Sequence, residues 1–357
     1  MIRAGGFAIA LALVALTAAT RADDNAVFIE LPYGVFPSAV ASNATVVGGL
    51  DTGGGFYWMP TSGVVYIGGL QASAVSRDGR TIVGEGIGAD KIRQAGIWLR
   101  AAEWRLLGSV VPNAKPCDDL LSNANDTNAD SRVIVGLAWN GCNFARAFRW
   151  EEATGMVDLG STVANRSSRA NSVSGDGKTV VGWQELTSGV WQGARWVDGK
   201  QTLFTGPDGI VGQAFAANTE GSLVVGQVCG FSGVMNQSAW VWTVRDGLQC
   251  LPPPRLRTAL EGVFLGRAEA TSEDGRVIGG GHSFGLESEA VIWIDKQPNY
   301  LKDYLRAHGV PNAFDEWVNT GTITGISRDG RMLVGWGAGP KNFKGYIVIL
   351  NSIGDAP

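Results

Sequence analysis

The sequence predicts an all-β fold: a seven-bladed β-propeller of four-stranded blades, closed by an N-terminal strand that completes the last blade. Three observations carry this prediction. A nine-residue turn-and-strand motif recurs seven times, an aromatic residue follows each copy, and the two ends of the repeat array are unequal. The motif is clearest as Ser76-Arg77-Asp78-Gly79-Arg80-Thr81-Ile82-Val83-Gly84 and from Ser174 to Gly182, Ser272 to Gly280 and Ser327 to Gly335. Degenerate copies run from Asn128 to Gly136 and Asn218 to Gly226, and the most worn from Val40 to Gly48. The Asp-Gly step is a hairpin signal, because Asp accepts backbone hydrogen bonds while Gly supplies the positive φ of the turn. The Ile/Val run after it suits a strand covered on both faces.

The aromatics are Trp58, Trp98, Trp150, Trp196, Trp242, Trp293 and, in the last copy, Tyr346. Each closes a short strand, and most copies add a glycine turn and a final strand, as in Gly155-Met156-Val157-Asp158-Leu159-Gly160. At about 48 residues per unit the repeat falls in the propeller range. The seventh unit stops after Gly345-Tyr346-Ile347-Val348-Ile349-Leu350, one strand short, while Ala26-Val27-Phe28-Ile29-Glu30-Leu31 stands unassigned before the first. Pairing the two closes the ring and removes exposed edges.

Composition agrees. Of 357 residues, 51 are glycine, about twice the usual share, and only 17% are charged. That excludes a coiled coil, a helical bundle and a highly charged disordered chain. The formal charge of −4 and the lack of a basic stripe argue against a nucleic-acid partner.

Residues 1–22 read as a signal peptide: Met1-Ile2-Arg3, an uncharged and mostly apolar run from Ala4 to Thr20, then Thr20-Arg21-Ala22 before Asp23. Residues 23–357 then form a single propeller domain, with a short helical insertion near 299–321. No later stretch is long and apolar enough to span a membrane, so an exported mature protein, periplasmic or extracellular, is expected. The four cysteines fit an oxidising compartment and allow three pairings. They lack zinc-ligand spacing with the two histidines, and neither a metal nor a cofactor is expected. Register within the repeat favours Cys117–Cys142 and Cys229–Cys250. Cys117 precedes the first strand of blade 3 and Cys142 lies in its second-to-third-strand loop, while Cys229 follows the second strand of blade 5 and Cys250 ends its fourth.

The S-x-D-G-x-x-V-V-G copies, the A-x-x-W strands and the G-M-x-x-L-G ends together resemble the HAF-type extracellular repeat family of bacteria. Asn143-to-Gly160, NFARAFRWEEATGMVDLG, and the Leu301-to-Leu350 unit carry that resemblance most closely. It covers nearly the whole mature chain and implies export and a propeller-like fold, but little chemistry. Some relatives continue into an outer-membrane barrel; no such segment follows here, so anchoring by that route is not expected.

Asp78, Asp176, Asp274 and Asp329 occupy the same hairpin position in four blades, so a turn role accounts for all four better than acid/base or calcium chemistry. The strand aromatics are read as inter-blade packing. Function then falls to the loops, which vary between blades. Trp139, Trp183 and Trp336 follow second strands, and Trp191, His282 and Lys341 share the predicted loop face. These six are the candidate ligand-binding residues, against the alternative that the tryptophans only cap the blades. No catalytic residue is assigned. His308 is read as a helix cap, His282 beside Glu287 and Glu289 is the one acid/base histidine to test, and Glu85, Glu185 and Glu287 are carboxylates predicted in loops of one face. Pro252-Pro253-Pro254 reads as a stiff connector between blades 5 and 6. The sequence thus predicts a secreted, non-catalytic binding module for a glycan, a cell-envelope component or a protein. The alternatives are a carboxylate-dependent glycan hydrolase or lyase using the same funnel, and a structural envelope or matrix protein.

Overall fold

The computed structural model describes residues 26–99, 103–207, 209–229, 238–255, 265–284 and 287–353. The signal-peptide segment lies outside them. Seven four-stranded antiparallel sheets form a seven-bladed propeller. The inner strands of blades 1 to 7 are Val35–Val40, Gln71–Val75, Ser122–Thr127, Ser168–Val173, Ala214–Ala217, Leu265–Thr271 and Asn319–Ile326. Blade 7 continues with Met332–Ala338 and Phe343–Leu350 and is completed by Ala26–Tyr33 from the other end of the described chain. Ala26 faces Leu350 and Phe28 faces Val348 in that antiparallel closure. Glu30 latches it: one oxygen accepts from Trp317 Nε1 at 2.6 Å and the other from Lys344 Nζ at 2.7 Å.

The repeat explains the ring. In four blades the motif serine donates to the motif aspartate, and that aspartate and serine accept the next two backbone N–H groups. In blade 4 these are Ser174 Oγ to Asp176 Oδ1 at 2.6 Å, Lys178 N to Asp176 at 3.0 Å, and Thr179 N to Ser174 Oγ at 2.9 Å. The same three bonds recur around Asp78, Asp274 and Asp329. At Asp78 the backbone N–H of Arg80 is the largest cause of a lowered pKa. Gly177 follows with a φ of 78°, a conformation open to glycine and costly for most side chains. Blade 1 departs from the motif. Val40 pairs with Val46, whereas blade 2 pairs Val75 with Ile82, so the first turn is one residue shorter and Val40 is strand rather than turn.

Each repeat aromatic packs against the preceding blade. Trp98 meets Val47, Trp150 meets Val83 and Ile97, Trp196 meets Val133 and Val135, and Trp293 meets Leu223 and Val225. Trp58 reaches across the closure to Met332, Val334 and Ile347, and Tyr346 lies against Ile292 and Ile294. Burying rings of this size contributes about 2–3 kcal/mol apiece, which makes the blade interfaces the main stabilising element. The insertion forms one short helix, Leu301–Ala307, whose Leu301, Tyr304 and Leu305 are buried in the blade 6–blade 7 cluster. His308 caps it: its N–H bonds to Tyr304 and Leu305 carbonyls, and its Nδ1 lies 2.7 Å from the Tyr304 carbonyl.

Candidate functional site in the central channel

The channel is shaped by a bulge present in every blade. Each inner strand skips one residue in its pairing with the second strand: Ser38, Ser73, Asn125, Asn171, Phe215, Glu269 and Thr324. A bulge bends its strand and re-aims the extra side chain. It also brings the backbone close to the facing strand. A Cβ on Gly84, Gly182 or Gly280, the last residue of the V-V-G run, would collide with the carbonyl oxygen of Gln71, Arg169 or Arg267, and the other four blades repeat this approach. The glycine ending each motif copy is therefore the partner of the bulge.

These seven bulge residues line two cavities in common and form the waist between them. The cavity on the side of the inner-to-second-strand turns has a volume of about 270 Å3 and also involves Arg77, Thr219, Glu273 and Arg328. Most of its rim is internally satisfied, while Arg77 is exposed and has no side-chain partner among the described residues. Arg328 pairs with Glu273 at 2.6 Å, and Glu273 also accepts from the Thr219 hydroxyl at 2.8 Å. Successive turns are joined to one another: Arg77 N to Ala129 O, Ala129 N to Gly175 O, Asp176 N to Thr219 O, and Glu273 N to Arg328 O.

The cavity toward the blade-to-blade connections, about 360 Å3, is different. Beyond the waist it is lined by Gln71, Asn123, Arg169, Gln213 and Trp336. A shallower space of about 290 Å3 adjoins it through Ser38, Gln71 and Trp336 and adds Phe36, Leu50 and Leu70. Trp336 stands edge-on to Phe36 and Phe343, both at 5.6 Å, so an aromatic wall bounds one side. Opposing amides and hydroxyls dominate the rest. Asn125 and Asn171 donate to the Ala170 and Ala214 carbonyls of the next blade, while Gln71 and Asn123 make no side-chain hydrogen bond among the described residues.

Two guanidiniums stand at this level with different partners. Arg267 pairs with Glu269 at 3.0 Å, and Glu269 also accepts from the Thr322 hydroxyl at 3.0 Å. Arg169 donates from Nη2 to Asn125 Oδ1 at 3.0 Å, its Nε has no acceptor, and it has no carboxylate partner among the described residues. Burial alone lowers its pKa. Asp126, next to the waist, is half-buried and accepts from Ser172 Oγ, Val173 N and Thr127 N; desolvation outweighs these bonds and pushes its carboxyl up to about 6.

The candidates from sequence separate on this geometry. Trp336 lines the channel. Trp183 is buried, within the second strand of blade 4, and stacks at 4.4 Å under Trp191, which is 47% exposed and presents the accessible ring of that pair. Trp139 is half-buried at the end of blade 3's second strand, where its N–H bonds to Leu121 O. Lys341 is exposed in the turn between the second and third strands of blade 7. His282 requires a correction. It is not in a loop: it lies inside the second strand of blade 6, Val277–Phe284, with no exposed surface, beside Trp293 and Tyr300. The strand continues past the point where the sequence reading ended it, and burial lowers the imidazole pKa to about 4, so it is neutral and enclosed.

The loop carboxylates are corrected likewise. Glu85 lies inside a second strand, Thr81–Ile87, and Glu185 ends another, Thr179–Glu185. Glu85 is held by Arg93 at 2.7 Å, and Glu185 by Arg166 at 3.1 Å and Ser167 N at 3.1 Å. Glu287 begins a third strand rather than lying in a loop, and its side chain falls outside the described residues. The disulfides are Cys117–Cys142 and Cys229–Cys250. Both tie connections on the side of the larger cavity.

The waist itself escaped the sequence reading, although its signal is present. Six waist residues stand eleven positions before the terminal glycine of their motif copy, and Ser38 stands ten before Gly48. Their chemical variety, from Ser to Phe to Glu, hid a fixed position.

No protein-family model matches the sequence, and neither does any curated protein. Solved structures match at the level of fold. The β-propeller domain of the trilobed protease from Pyrococcus furiosus, described as having an open velcro topology, is 12% identical over 91% of this chain and all of that one, with a TM-score of 0.51. A prolyl endopeptidase structure is 11% identical over 85% of this chain and 46% of its own, with a TM-score of 0.52. TolB from Acinetobacter baumannii is 11% identical over 74% of this chain, with a TM-score of 0.47, and this chain spans 61% of it. The first two likenesses agree with the β-propeller fold, here with the N-terminal strand completing the last blade.

Proposed function

We propose that the chain is an exported, non-catalytic binding module of the HAF-repeat type, and that it holds its ligand in the mouth of the channel on the blade-connection side. The observation that carries this reading is the contrast between the two cavities. One is rimmed largely by groups that satisfy one another, its unpaired Arg77 being exposed to solvent; the other offers amides without partners, a half-buried guanidinium without a carboxylate and a tryptophan wall. Polar groups converging beside an aromatic surface in a cavity of this size are the usual make-up of a small-ligand site. The engagement of Glu85 and Glu185 by arginines and the enclosure of His282 favour binding over acid/base catalysis. Two disulfides and the sequence of the first 22 residues support export. Among the described residues no helix is long and apolar enough to cross a membrane.

A panel of soluble oligosaccharides, titrated against the mature chain with tryptophan fluorescence as readout, tests the site. Trp336→Ala should weaken the binding found by tenfold or more while the protein stays folded, and Trp191→Ala should leave it intact. Binding that survives Trp336→Ala and is lost in Trp191→Ala would move the site to the blade 4 rim and overturn the channel assignment.

A further inference from the structure

Resting on that channel reading, we infer that the cavity on the blade-connection side is a receptor for the carboxylate of an acidic sugar, with Arg169 as its anion anchor and Trp336 as the surface for the sugar ring. Arg169 is costly where it stands. Arg169 is half-buried, and a guanidinium with its Nε enclosed and no anion beside it loses part of its hydration without compensation. The fold does not need it: the corresponding position holds Phe36, Gln71, Asn123, Gln213, Arg267 and Thr322 in the other six blades. Only one of those is also an arginine, and Arg267 has its own carboxylate in Glu269. Arg169 has none, in a protein whose formal charge is −4.

The charges facing this cavity narrow the ligand. Glu269 is the carboxylate in its lining, and it is already engaged by Arg267 and the Thr322 hydroxyl. Asp126 belongs to the wall of the other cavity and is turned to Ser172, Val173 and Thr127. One positive charge therefore remains, which matches a monoanion. A phosphate dianion would leave a negative charge buried and unpaired. The guanidinium fork suits a planar carboxylate, which accepts two parallel N–H bonds. The other lining groups suit a hydroxyl-rich body. Asn123 and Gln71 have unused donors and acceptors, Ser38, Ser73 and Thr324 add hydroxyls, and Trp336 supplies one flat apolar wall. A hexuronic acid presents that combination: one carboxylate, several hydroxyls and a ring face. Its carboxylate is placed at Arg169 and its ring toward Trp336.

The test uses D-glucuronate, with D-glucose as the neutral counterpart and inorganic phosphate as a second anion. In calorimetric titrations of the mature chain, glucuronate should bind at least tenfold more tightly than glucose or phosphate, and its affinity should fall as salt rises. Arg169→Gln should bring glucuronate down to the level of glucose without changing glucose itself, and Arg169→Lys should fall between. Equal binding of glucuronate and glucose, or an Arg169→Gln variant with full affinity, overturns the acidic-sugar assignment. It leaves the channel reading standing if Trp336→Ala still weakens both sugars. Loss of neither on Trp336→Ala overturns both. Should Arg169→Gln not fold, crystals of the unaltered protein soaked in bromide give the answer by anomalous scattering. A bromide peak beside the Arg169 guanidinium supports the anion site, and its absence there overturns it.

Discussion

The two ends of the channel are made from the same seven inner strands and differ in how completely they satisfy themselves. At the turn end, repeated Ser-x-Asp-Gly hairpins bond within and between blades, and even the charged residues Arg328 and Glu273 are paired. At the connection end, the equivalent positions carry seven different local solutions, and Arg169, Asn123 and Gln71 are left with unused hydrogen-bonding capacity. Repetition therefore marks what holds the ring together, and departure from repetition marks where the proposed site lies.

The sharpest test of that division compares two tryptophans. Trp293 is fully buried between blades 5 and 6, and its Nε1 donates to Pro252 O at 2.8 Å. Trp293→Ala should cost about 4 kcal/mol in chemical denaturation. Trp336→Ala, at the channel mouth, should cost under about 1.5 kcal/mol, because part of its ring already faces solvent. A Trp336→Ala loss equal to that of Trp293→Ala would show that the mouth tryptophan belongs to the framework.

Both disulfides lie at the connection end, where the hydrogen-bonded girdle of turns is lacking. They close loops with sequence separations of 25 and 21 residues. In the chain-entropy model each such loop stabilises the fold by about 3.5 kcal/mol, so reduction should lower stability by about that much per bridge. Hydrogen exchange should resolve the asymmetry. On reduction the amides of Cys117, Leu120 and Gly141 should exchange faster, while those of Thr81 and Thr179, which donate to Ser76 Oγ and Ser174 Oγ in the turns, keep their protection.

Acidification reads two desolvated groups of opposite sign, the buried His282 and the half-buried Asp126. His282 has its pKa lowered from 6.5 to about 4, so its contribution is present above pH 6.5 and is lost as pH falls toward 4. Asp126 has its pKa raised from 3.8 to about 6, so its contribution is present below 3.8 and is lost as pH rises through 6. Between pH 7.5 and 4.5, His282 should remove about 2.5 kcal/mol and Asp126 return about 2 kcal/mol. The unaltered protein should change little from these two groups. His282→Gln should gain stability on acidification and Asp126→Asn should lose it. Denaturation curves for the three proteins at both pH values check the signs, and parallel behaviour of the two variants would remove the explanation.

How far the sequence could be read follows the same division. Blade number, closure by Ala26–Tyr33 and the disulfide register were legible because each depends on a chemical need met seven times, or on one missing strand. The waist was not legible, since a bulge imposes a backbone shape and leaves its side chain free: Ser38, Phe215 and Glu269 share a position without sharing chemistry. His282 misled because strand length varies between blades. The second strand of blade 6 runs to Phe284, whereas that of blade 5 ends at Gly226, at the motif glycine. A polar residue just past the motif therefore falls in a loop in one blade and in the core in another.

The smallest predicted effect asks whether the degenerate copies are weaker or only differently spelled. Where blades 2, 4, 6 and 7 use a serine, blades 3 and 5 have Asn128 and Asn218. Their side-chain oxygens accept from Val133 N at 2.9 Å and Leu223 N at 3.1 Å, the bond that Ser174 Oγ accepts from Thr179 N at 2.9 Å. Ser131 even takes the turn glycine's left-handed conformation, with a φ of 61°. An asparagine oxygen thus replaces a serine hydroxyl at this bond. Ser174→Ala should cost about 1 kcal/mol, because Thr179 N is buried and loses its acceptor. Ser174→Asn should cost under about 0.5 kcal/mol, the difference being the lost hydroxyl donation to Asp176. Equal losses for the two variants would mean that the asparagine blades rely on their neighbours, and that the turn girdle is uneven around the ring.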